Sequence, residues 1–304
     1  MKKLLYKALF GYLYLLSLLP FWLHRGFANC LYYLVYYPFK YRKEVILGNL
    51  KLAFPEKTLK ERQRIAKDFY LHLCDLMTES IKGVSMNQTD FRKHYKVLNW
   101  DILFDEHKKG NSVILISPHT GNWEWVFSLV DRLVKPVFDN VFAIYQPLQN
   151  PYFNDYVLET RQRYGAQLIP MRETYKYVLE AHNTKKQVIS WFAADQSPSP
   201  ENAYWTEFLH QDTAFHAGYA RIATQTNQTV MFLDIKKVKR NFFELTLIPI
   251  DYKSVGDVET EGNTQKQQDF IVENFARLTE KRINENPAYW LWSHKRWKHK
   301  RNNT

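Results

Sequence analysis

Short apolar runs alternate with helical patterns over the last two thirds of the chain, and this alternation constrains the fold more than any other feature of the 304 residues. Residues 112–117, SVILIS, form a β-branched run that ends at Pro118 and is typical of a buried strand. Alternation of this kind predicts an α/β fold, a mixed sheet flanked by helices. Further strands are predicted at 141–145, 167–169, 187–192, 229–236 and 242–248, and helices at 123–133, 151–164, 173–182, 214–226 and 264–285.

The N-terminus carries a long apolar segment. Residues 4–23 contain one charge, Lys7, and a proline near the end, Pro20. About 20 such residues just span a hydrocarbon core of about 30 Å, whereas the Tyr-rich stretch at 27–39 is too short and suits a water–lipid interface. We expect an N-terminal membrane-anchoring helix, as a full span or lying in one leaflet, within a segment 1–40 that precedes one folded domain at 41–304.

A signal peptide is the alternative for this segment, but residues 20–24 form a poor cleavage site. Basic residues lie on both sides of the segment, so they indicate no orientation. Residues 45–82 carry a helical pattern, and Thr58 with Glu61 forms a capping box that opens its second helix. We expect residues 84–108 to be a mixed, polar connection.

The charge balance limits the partners. A formal net charge of +11 favours anionic partners, which include nucleic acid, anionic lipid and acidic proteins. A mean hydropathy of −0.46 excludes a polytopic membrane protein. Cys30 and Cys74 are the two cysteines, and without a CxxC or HExxH motif we expect no disulfide framework and no zinc.

The chemistry is predicted at residues 118–124, PHTGNWE, where the strand at 112–117 meets a helix. His119 and Glu124 are the pair of interest. With ten histidines and 31 acidic residues in 304, about one histidine is expected by chance to have an acidic residue five positions later. The prediction therefore rests on the position of the pair between a strand and a helix, not on its spacing. Open α/β sheets place their sites at the carboxyl ends of strands. Gly121 allows a tight turn, and Asn122 can cap the helix.

We expect Glu124, in the first turn of that helix, to fold back on the imidazole of His119. A carboxylate on one ring nitrogen fixes the tautomer and raises the basicity of the other nitrogen. Such a base can take a proton from a hydroxyl that attacks a thioester. The alternative is a loop histidine with a structural hydrogen bond.

The motif resembles the HxxxxE signature of the bacterial lipid A biosynthesis acyltransferases, the lauroyl/myristoyl or late acyltransferase family. The resemblance runs in order from the N-terminal apolar segment to residue 298. Five elements matched in the same order are specific to a family, whereas a match to any one of them alone is weak support. Besides residues 119–124, these are Tyr145-Gln146-Pro147 with Asn150, Arg161-Gln162-Arg163 with Gly165, Ala194-Asp195-Gln196, and YWLWSHKRWK at 289–298.

The resemblance implies a glycerolipid-acyltransferase-like catalytic domain behind a membrane helix, on the cytoplasmic side of the inner membrane. It implies an acyl-carrier protein thioester as donor, a hydroxyl of an anionic lipid A precursor as acceptor, and neither cofactor nor metal. The roles carried over are His119 as base, Glu124 as its partner, Arg161 as charge stabiliser, and Asp195 as a structural or acceptor-positioning residue.

The predicted substrate-binding residues are Asp195, Asn122, Tyr145, Arg163 and Arg296. Arg161 suits a thioester oxyanion or an acceptor phosphate, although a helix-surface arginine is the alternative. Asp195 could instead cap its loop. Arg163, two residues along the same helix, faces elsewhere. Gln146 stands where the family often has Arg, which leaves acceptor specificity open.

Two rival interpretations remain. An acyltransferase of the same chemistry can act on a lysophospholipid or an aminolipid. The basic, aromatic tail HKRWKHKR at 294–301 suits nucleic acid, so a membrane or nucleic-acid-binding protein without catalysis is the rival from another class. No nucleic-acid-binding motif accompanies the tail, and attraction to anionic lipid or an acidic carrier explains the same charges. We therefore expect no nucleic-acid partner.

Overall fold

A seven-stranded sheet organises the fold. The computed structural model of the protein describes residues 2–131, 137–255 and 261–301. The strand order is β1-β9-β8-β2-β5-β3-β4, and a separate hairpin pairs β6 with β7. The strands are β1 Tyr95–Val97, β2 Val113–Ser117, β3 Asn140–Tyr145, β4 Gln167–Pro170, β5 Val188–Ala193, β6 Ala203–Phe208, β7 Gln211–His216, β8 Thr229–Lys239 and β9 Phe242–Ile250.

The sheet is mixed, as predicted. Strands β4, β3, β5, β2 and β8 run parallel, whereas β9 pairs antiparallel with β8 and β1 runs parallel to β9. The tight connection from Lys239 to Phe242 explains the reversal, because antiparallel strands can be joined by a short hairpin and parallel strands need a crossover. The α/β fold with a central sheet between helices is therefore confirmed.

Strand β2 lies at the centre of the molecule, and all five of its residues are buried. Its side chains alternate between the two faces of the sheet, as the strand period of two requires. Ile114 and Ile116 belong to the hydrophobic core on one face, and Val113 and Leu115 to the core on the other. This burial on both faces explains the continuous apolar run.

Helices cover both faces of the sheet. The long helix Leu59–Gly83 begins at the predicted capping box, in which the Thr58 side chain accepts from the Glu61 amide and the Glu61 carboxylate accepts from the Thr58 amide. The other α-helices are Lys2–Ser17, Phe21–Tyr36, Lys43–Ala53, Gln88–His94, Asp101–Lys108, Pro151–Gln162, Thr174–Asn183, Gly218–Thr226 and Glu261–Glu285.

Three predicted segments beyond the N-terminal region differ from the structure. Residues 84–108 are not merely a connection, since they form two helices and strand β1. The helix predicted at 214–226 begins only at Gly218, because Gln211–His216 pairs in a hairpin that the sequence pattern did not indicate. The turn after β2 is a 3-10 helix, Trp123–Leu129, and the last two residues of the helix predicted there, 132 and 133, lie outside the described residues.

The predicted apolar helix at 4–23 is not continuous. The chain turns at 18–20, and two shorter helices, Lys2–Ser17 and Phe21–Tyr36, replace it. Pro20 explains the break, because proline lacks an amide hydrogen and disfavours helical geometry in the residue before it. Among the described residues, no helix combines the length and the apolar character that crossing a bilayer requires.

Candidate active site

The carboxyl ends of β2 and β5 meet at one edge of the sheet. Ser117, the last residue of β2, pairs with Ala193, the last residue of β5. His119 and Asp195 each follow their strand by two residues. The parallel register therefore brings these two side chains together, although 76 positions separate them in the sequence.

Asp195 holds the imidazole in a defined orientation. Its Oδ1 lies 2.5 Å from Nδ1 of His119, and its Oδ2 accepts from the His119 amide at 2.9 Å and from the Trp290 indole N–H at 2.6 Å. Burial opposes ionisation of this carboxyl, which is 2% exposed. The adjacent imidazole and the three hydrogen bonds outweigh burial and lower the pKa of Asp195 to about 2.

The ionised Asp195 accepts a hydrogen bond from the Nδ1–H group of His119, which leaves the lone pair of the neutral ring on Nε2. The imidazole lines a large cleft, and it packs edge-to-face with the Trp123 ring at 5.2 Å between centroids. The side-chain nitrogen of Gln196 lies 3.4 Å from Nε2. In this geometry Nε2 is available to accept a proton from a group bound in the cleft.

Glu124 does not contact the imidazole as predicted. Its carboxylate instead forms a bidentate ion pair with Arg161, with Nη2 at 2.8 Å from Oε1 and Nε at 3.2 Å from Oε2. The Arg161 guanidinium also lies over the Phe127 ring at 4.9 Å. The two predicted residues therefore meet each other rather than His119, because the 3-10 turn directs Glu124 towards the helix that carries Arg161.

The turn between His119 and Glu124 depends on a glycine. Gly121 has φ +58°, and a Cβ there would lie 2.8 Å from Cγ2 of Ile235. Its amide donates to the Tyr289 carbonyl at 3.1 Å, and Thr120 forms a β-bridge with Trp290. The turn is thus fixed to the C-terminal segment, and any larger residue would be strained there and would displace the turn.

Asn122 caps the 3-10 helix and does not reach the cleft. Its side-chain oxygen accepts from the Trp125 amide at 3.1 Å, and its side-chain nitrogen donates to Glu79 at 2.8 Å. The residue is fully buried, so we remove it from the predicted substrate-binding set. Burial raises the pKa of Glu79, which also accepts two hydrogen bonds from Asn241. The buried hydrogen bonds among Asn122, Glu79 and Asn241 hold the turn against the long helix Leu59–Gly83.

The cleft has a volume of about 870 Å³ and opens at the carboxyl ends of β2, β3, β4 and β5. Among the described residues, Glu124 is the only carboxylate in its wall. Arg172, Arg221 and Lys298 also line it and come from three separate parts of the chain. The cleft is consequently cationic, and it favours a ligand that carries negative charge.

Tyr145 and Gln146 line this cleft at the end of β3, whereas two predicted arginines do not. Arg163 donates to the carbonyls of Val84, Gly83 and Met86, which turns its guanidinium away from the cleft. We therefore remove Arg163 from the predicted substrate-binding set.

Arg296 is also removed, because it is buried beneath the cleft wall. Its guanidinium lies over the Phe215 ring and donates to the Ala214 carbonyl at 2.6 Å. It also lies within 3.4 Å of the Ser197 hydroxyl, so it supports the loop that follows Asp195. Burial lowers its pKa to about 10, and the guanidinium stays charged at neutral pH.

Missed from the sequence were the cleft residues Arg172, Arg221 and Lys298, and also Gln196 and His294. Gln196 follows Asp195 directly, and its place after a strand was the available signal. His294 accepts from the Ser197 amide through Nε2 at 3.2 Å. Burial lowers the pKa of His294 to about 4, so it is neutral at pH 7. Nothing in the sequence distinguished it from the other basic residues of the tail.

A smaller apolar cavity adjoins the cleft. It has a volume of about 160 Å³ and shares Glu124, Phe127 and Arg161 with the cleft, so the ion pair separates the two spaces. Its other walls are mainly apolar, and the cavity is partly open to its surroundings. An apolar group that enters it would lose contact with water, which favours binding of an apolar ligand there.

Within the described ranges, no group of three or more His, Cys, Asp or Glu side chains is arranged to hold a metal ion. The candidate site therefore consists of an oriented imidazole, a buried carboxylate, an arginine held by a glutamate, and two adjoining spaces, one cationic and one apolar.

Comparison with known proteins identifies a family that this chain matches. Residues 3–299 match the family model described as bacterial lipid A biosynthesis acyltransferase. A lipid A biosynthesis palmitoleoyltransferase of Escherichia coli (strain K12) is 23% identical over 265 residues, which cover 86% of this chain and 80% of that protein.

A lipid A biosynthesis myristoyltransferase of the same organism is 22% identical over 164 residues, which cover 54% of this chain and 49% of that protein. Lipid A biosynthesis acyltransferase 1 of Shigella flexneri has the same identity and coverage. The chain thus spans about half the length of these last two relatives and most of the length of the first.

Proposed function

The chain belongs to the bacterial lipid A biosynthesis acyltransferase family, and on that premise we propose that it transfers a fatty acyl chain from an acyl-carrier protein thioester to a hydroxyl of a lipid A precursor. One observation carries the chemistry. The imidazole of His119, oriented by Asp195, presents Nε2 to a cationic cleft beside an apolar cavity. A base, an anion-binding space and a lipid-binding space are what such a transfer needs.

The proton has a short route in this proposal. Nε2 of His119 takes the proton of the acceptor hydroxyl as its oxygen attacks the thioester carbonyl carbon. Asp195 stabilises the imidazolium that results, because its carboxylate is ionised and 2.5 Å from Nδ1. The carbon–sulfur bond then breaks, and the imidazolium returns the proton to the departing thiolate. The products are an ester and the free thiol of the carrier protein.

Arg161 is the proposed stabiliser of the oxyanion that forms on the carbonyl carbon. Nε and Nη2 of Arg161 donate to the Glu124 carboxylate, whereas Nη1 donates no hydrogen bond to any of the described residues. The bidentate pair fixes the plane of the guanidinium, so a donor aimed at the developing charge needs no reorganisation during the reaction. Glu124 then acts on Arg161, and Asp195 takes the role first predicted for Glu124.

The substrates divide between the two spaces. The acyl chain enters the apolar cavity, where its burial contributes about 0.8 kcal/mol for each methylene group. The acceptor headgroup occupies the cleft, where Arg172, Arg221 and Lys298 supply charge for a phosphorylated lipid. Glu124 and Arg161, shared by both spaces, stand where the thioester would lie.

Location belongs to the same proposal. Many large apolar side chains of the first two helices are exposed, and Leu4, Trp22 and Tyr33 are each more than half exposed. Exposed apolar side chains in this number favour contact with a bilayer. We assign the protein to the cytoplasmic face of the inner membrane, with residues 1–40 as the interfacial segment and 41–304 as the catalytic domain.

The donor is tested by salt. Lys295 and Lys300 are exposed and lie within two residues of the cleft residue Lys298 or next to His294 in the sequence. An acidic carrier protein would be steered to such a basic surface. The rate with acyl-carrier protein should therefore fall as ionic strength rises, whereas the rate with a small thioester should not. Equal use of acyl-CoA without salt sensitivity would overturn the carrier-protein assignment.

The acceptor is tested by mass spectrometry of lipid A and total lipids from cells with and without the gene. We expect a lipid A species that lacks one secondary acyl chain when the gene is deleted and that is restored by the wild-type gene but not by His119→Ala. Loss of an aminolipid or a phospholipid instead, with lipid A unchanged, would replace the acceptor and retain the chemistry.

A further inference from the structure

The N-terminal helix Lys2–Ser17 has two faces with different surroundings. Tyr6, Phe10 and Leu13 form one helical stripe that is partly buried against the domain. The opposite face is exposed and carries Leu4, Leu5, Tyr12 and Leu15. The helix is therefore a built part of the fold on one side and a free apolar surface on the other.

Aromatic stacking fixes the inner stripe against a neighbouring helix. The Tyr6 ring stacks on the Tyr152 ring at 4.6 Å between centroids, and the Phe10 ring stacks on the Tyr156 ring at 4.1 Å. The Asn150 side chain donates to the Tyr6 hydroxyl at 2.8 Å. These contacts fix the position of the helix along its neighbour, and therefore the position of the next inner residue.

That next residue, Leu13, lines the apolar cavity. It does not line the cleft, whereas Glu124, Phe127 and Arg161 line both spaces. Leu13 is thus a wall of the cavity that is not shared with the cleft. A cavity of about 150 Å³ accommodates a six-carbon ring, so one of 160 Å³ holds about six carbon atoms of a chain. In so small a space the size of one side chain decides how many carbon atoms fit.

We infer that Leu13 determines the length of the acyl chain that the protein selects, which makes the N-terminal helix a part of the acyl-chain site. The inference rests on the proposed function in one respect, the identification of the apolar cavity as the site of the chain. It adds a residue outside the HxxxxE turn, in the segment that the sequence assigned only to membrane attachment.

Two substitutions change the cavity in opposite directions. Leu13→Ala removes three carbon atoms and should admit about two more methylene groups. Leu13→Trp fills the cavity and should exclude about as many. Because each buried methylene group is worth a factor of about 4 in affinity, a shift of two carbons changes the preference between neighbouring even chain lengths by about 15-fold.

The direct measurement is binding of saturated fatty acids of 4 to 16 carbons to the full chain, by displacement of a fluorescent fatty acid. We expect the optimum to move to longer chains in Leu13→Ala and to shorter chains in Leu13→Trp. Leu15→Ala and Leu15→Trp are the matched controls, since Leu15 is on the same helix but 63% exposed, and they should keep the wild-type optimum.

An unchanged optimum in both Leu13 variants would overturn the inference, and so would an equal shift in the Leu15 variants. If Leu13→Trp fails to fold, as judged by thermal unfolding, Leu13→Ala and Leu13→Phe decide the matter. Acyl transfer is then measured with carrier-protein thioesters of the same lengths. Shifted binding without any transfer by the wild type would refute the proposed function and leave the assignment of Leu13 intact.

Discussion

Nδ1 of His119 lies 2.5 Å from a carboxylate oxygen of Asp195, and the same carboxylate accepts the His119 backbone amide. Two contacts to one residue fix both the ring and the chain that carries it. The imidazole is therefore oriented by a carboxylate from the neighbouring strand, and the glutamate of its own motif is left to position an arginine.

Replacement of His119 by Ala should lower the rate of acyl transfer by about 10²–10⁴-fold, because general-base assistance is lost. Fold and membrane binding should be unchanged. Initial rates of purified protein measure the effect, with circular dichroism as the control for folding. Transfer at a near wild-type rate by folded variant protein would refute the assignment of His119 as base.

Asp195→Asn and Glu124→Gln distinguish the two carboxylates. Asp195→Asn should cause the larger loss of rate, about 10²–10⁴-fold, because an amide can hold the wrong tautomer and cannot stabilise an imidazolium. Glu124→Gln keeps one acceptor for Arg161 and should retain about ten times more activity than Asp195→Asn. The opposite order of the two rates would return Glu124 to the role of histidine partner.

His294 predicts a dependence of stability on pH. Its pKa is held at about 4 in the folded protein, below the ordinary value of 6.5. The unfolded chain therefore binds more protons between these values, and stability falls as pH decreases from 6.5 towards 4. His294→Gln can still accept from the Ser197 amide and should show a shallower fall. Urea unfolding at several pH values measures this, and parallel curves for both proteins would contradict it.

If the first helix contacts the membrane, charged substitutions on its exposed face should weaken binding of the protein to lipid. Leu4→Asp combined with Leu15→Asp should lower binding to anionic lipid vesicles about tenfold or more, since each buried leucine is worth about 1.5–3 kcal/mol. Cosedimentation with vesicles measures the bound fraction. Leu59→Asp with Leu98→Asp, two leucines of similar exposure outside the first two helices, is the control pair. Equal loss of binding in both pairs would indicate a general effect of charge.

The sequence predicts the central sheet because the apolar pattern of β2 depends only on local burial. It also predicts the turn at His119, since Pro118, Gly121 and Asn122 each impose a local backbone requirement. The sequence does not predict Asp195 as the partner of His119, because that contact depends on which strand pairs with β2 and in which register. Spacing along the chain favoured Glu124, which was near in sequence but directed elsewhere.

The arginines illustrate a second limit. Arg161 and Arg163 are two positions apart, and only the first reaches the cleft. Helical spacing predicts that they face apart, but it does not indicate which of them faces the site. Arg296, in the basic tail, is buried over Phe215 with no carboxylate partner among the described residues, an arrangement that its charge alone would have argued against.

The register in which Ser117 faces Ala193 makes the lengths of two very short connections part of the site. One residue inserted between Ser117 and His119, or between Ala193 and Asp195, would rotate one of the two side chains away while every functional residue remained in the sequence. The tip of the β6–β7 hairpin is restricted for a different reason, because Leu209 there is buried in the core and its amide donates to the Glu280 carboxylate at 2.6 Å. A descendant of this chain that keeps His119 and Asp195 but has altered the length of either connection has therefore lost the pair.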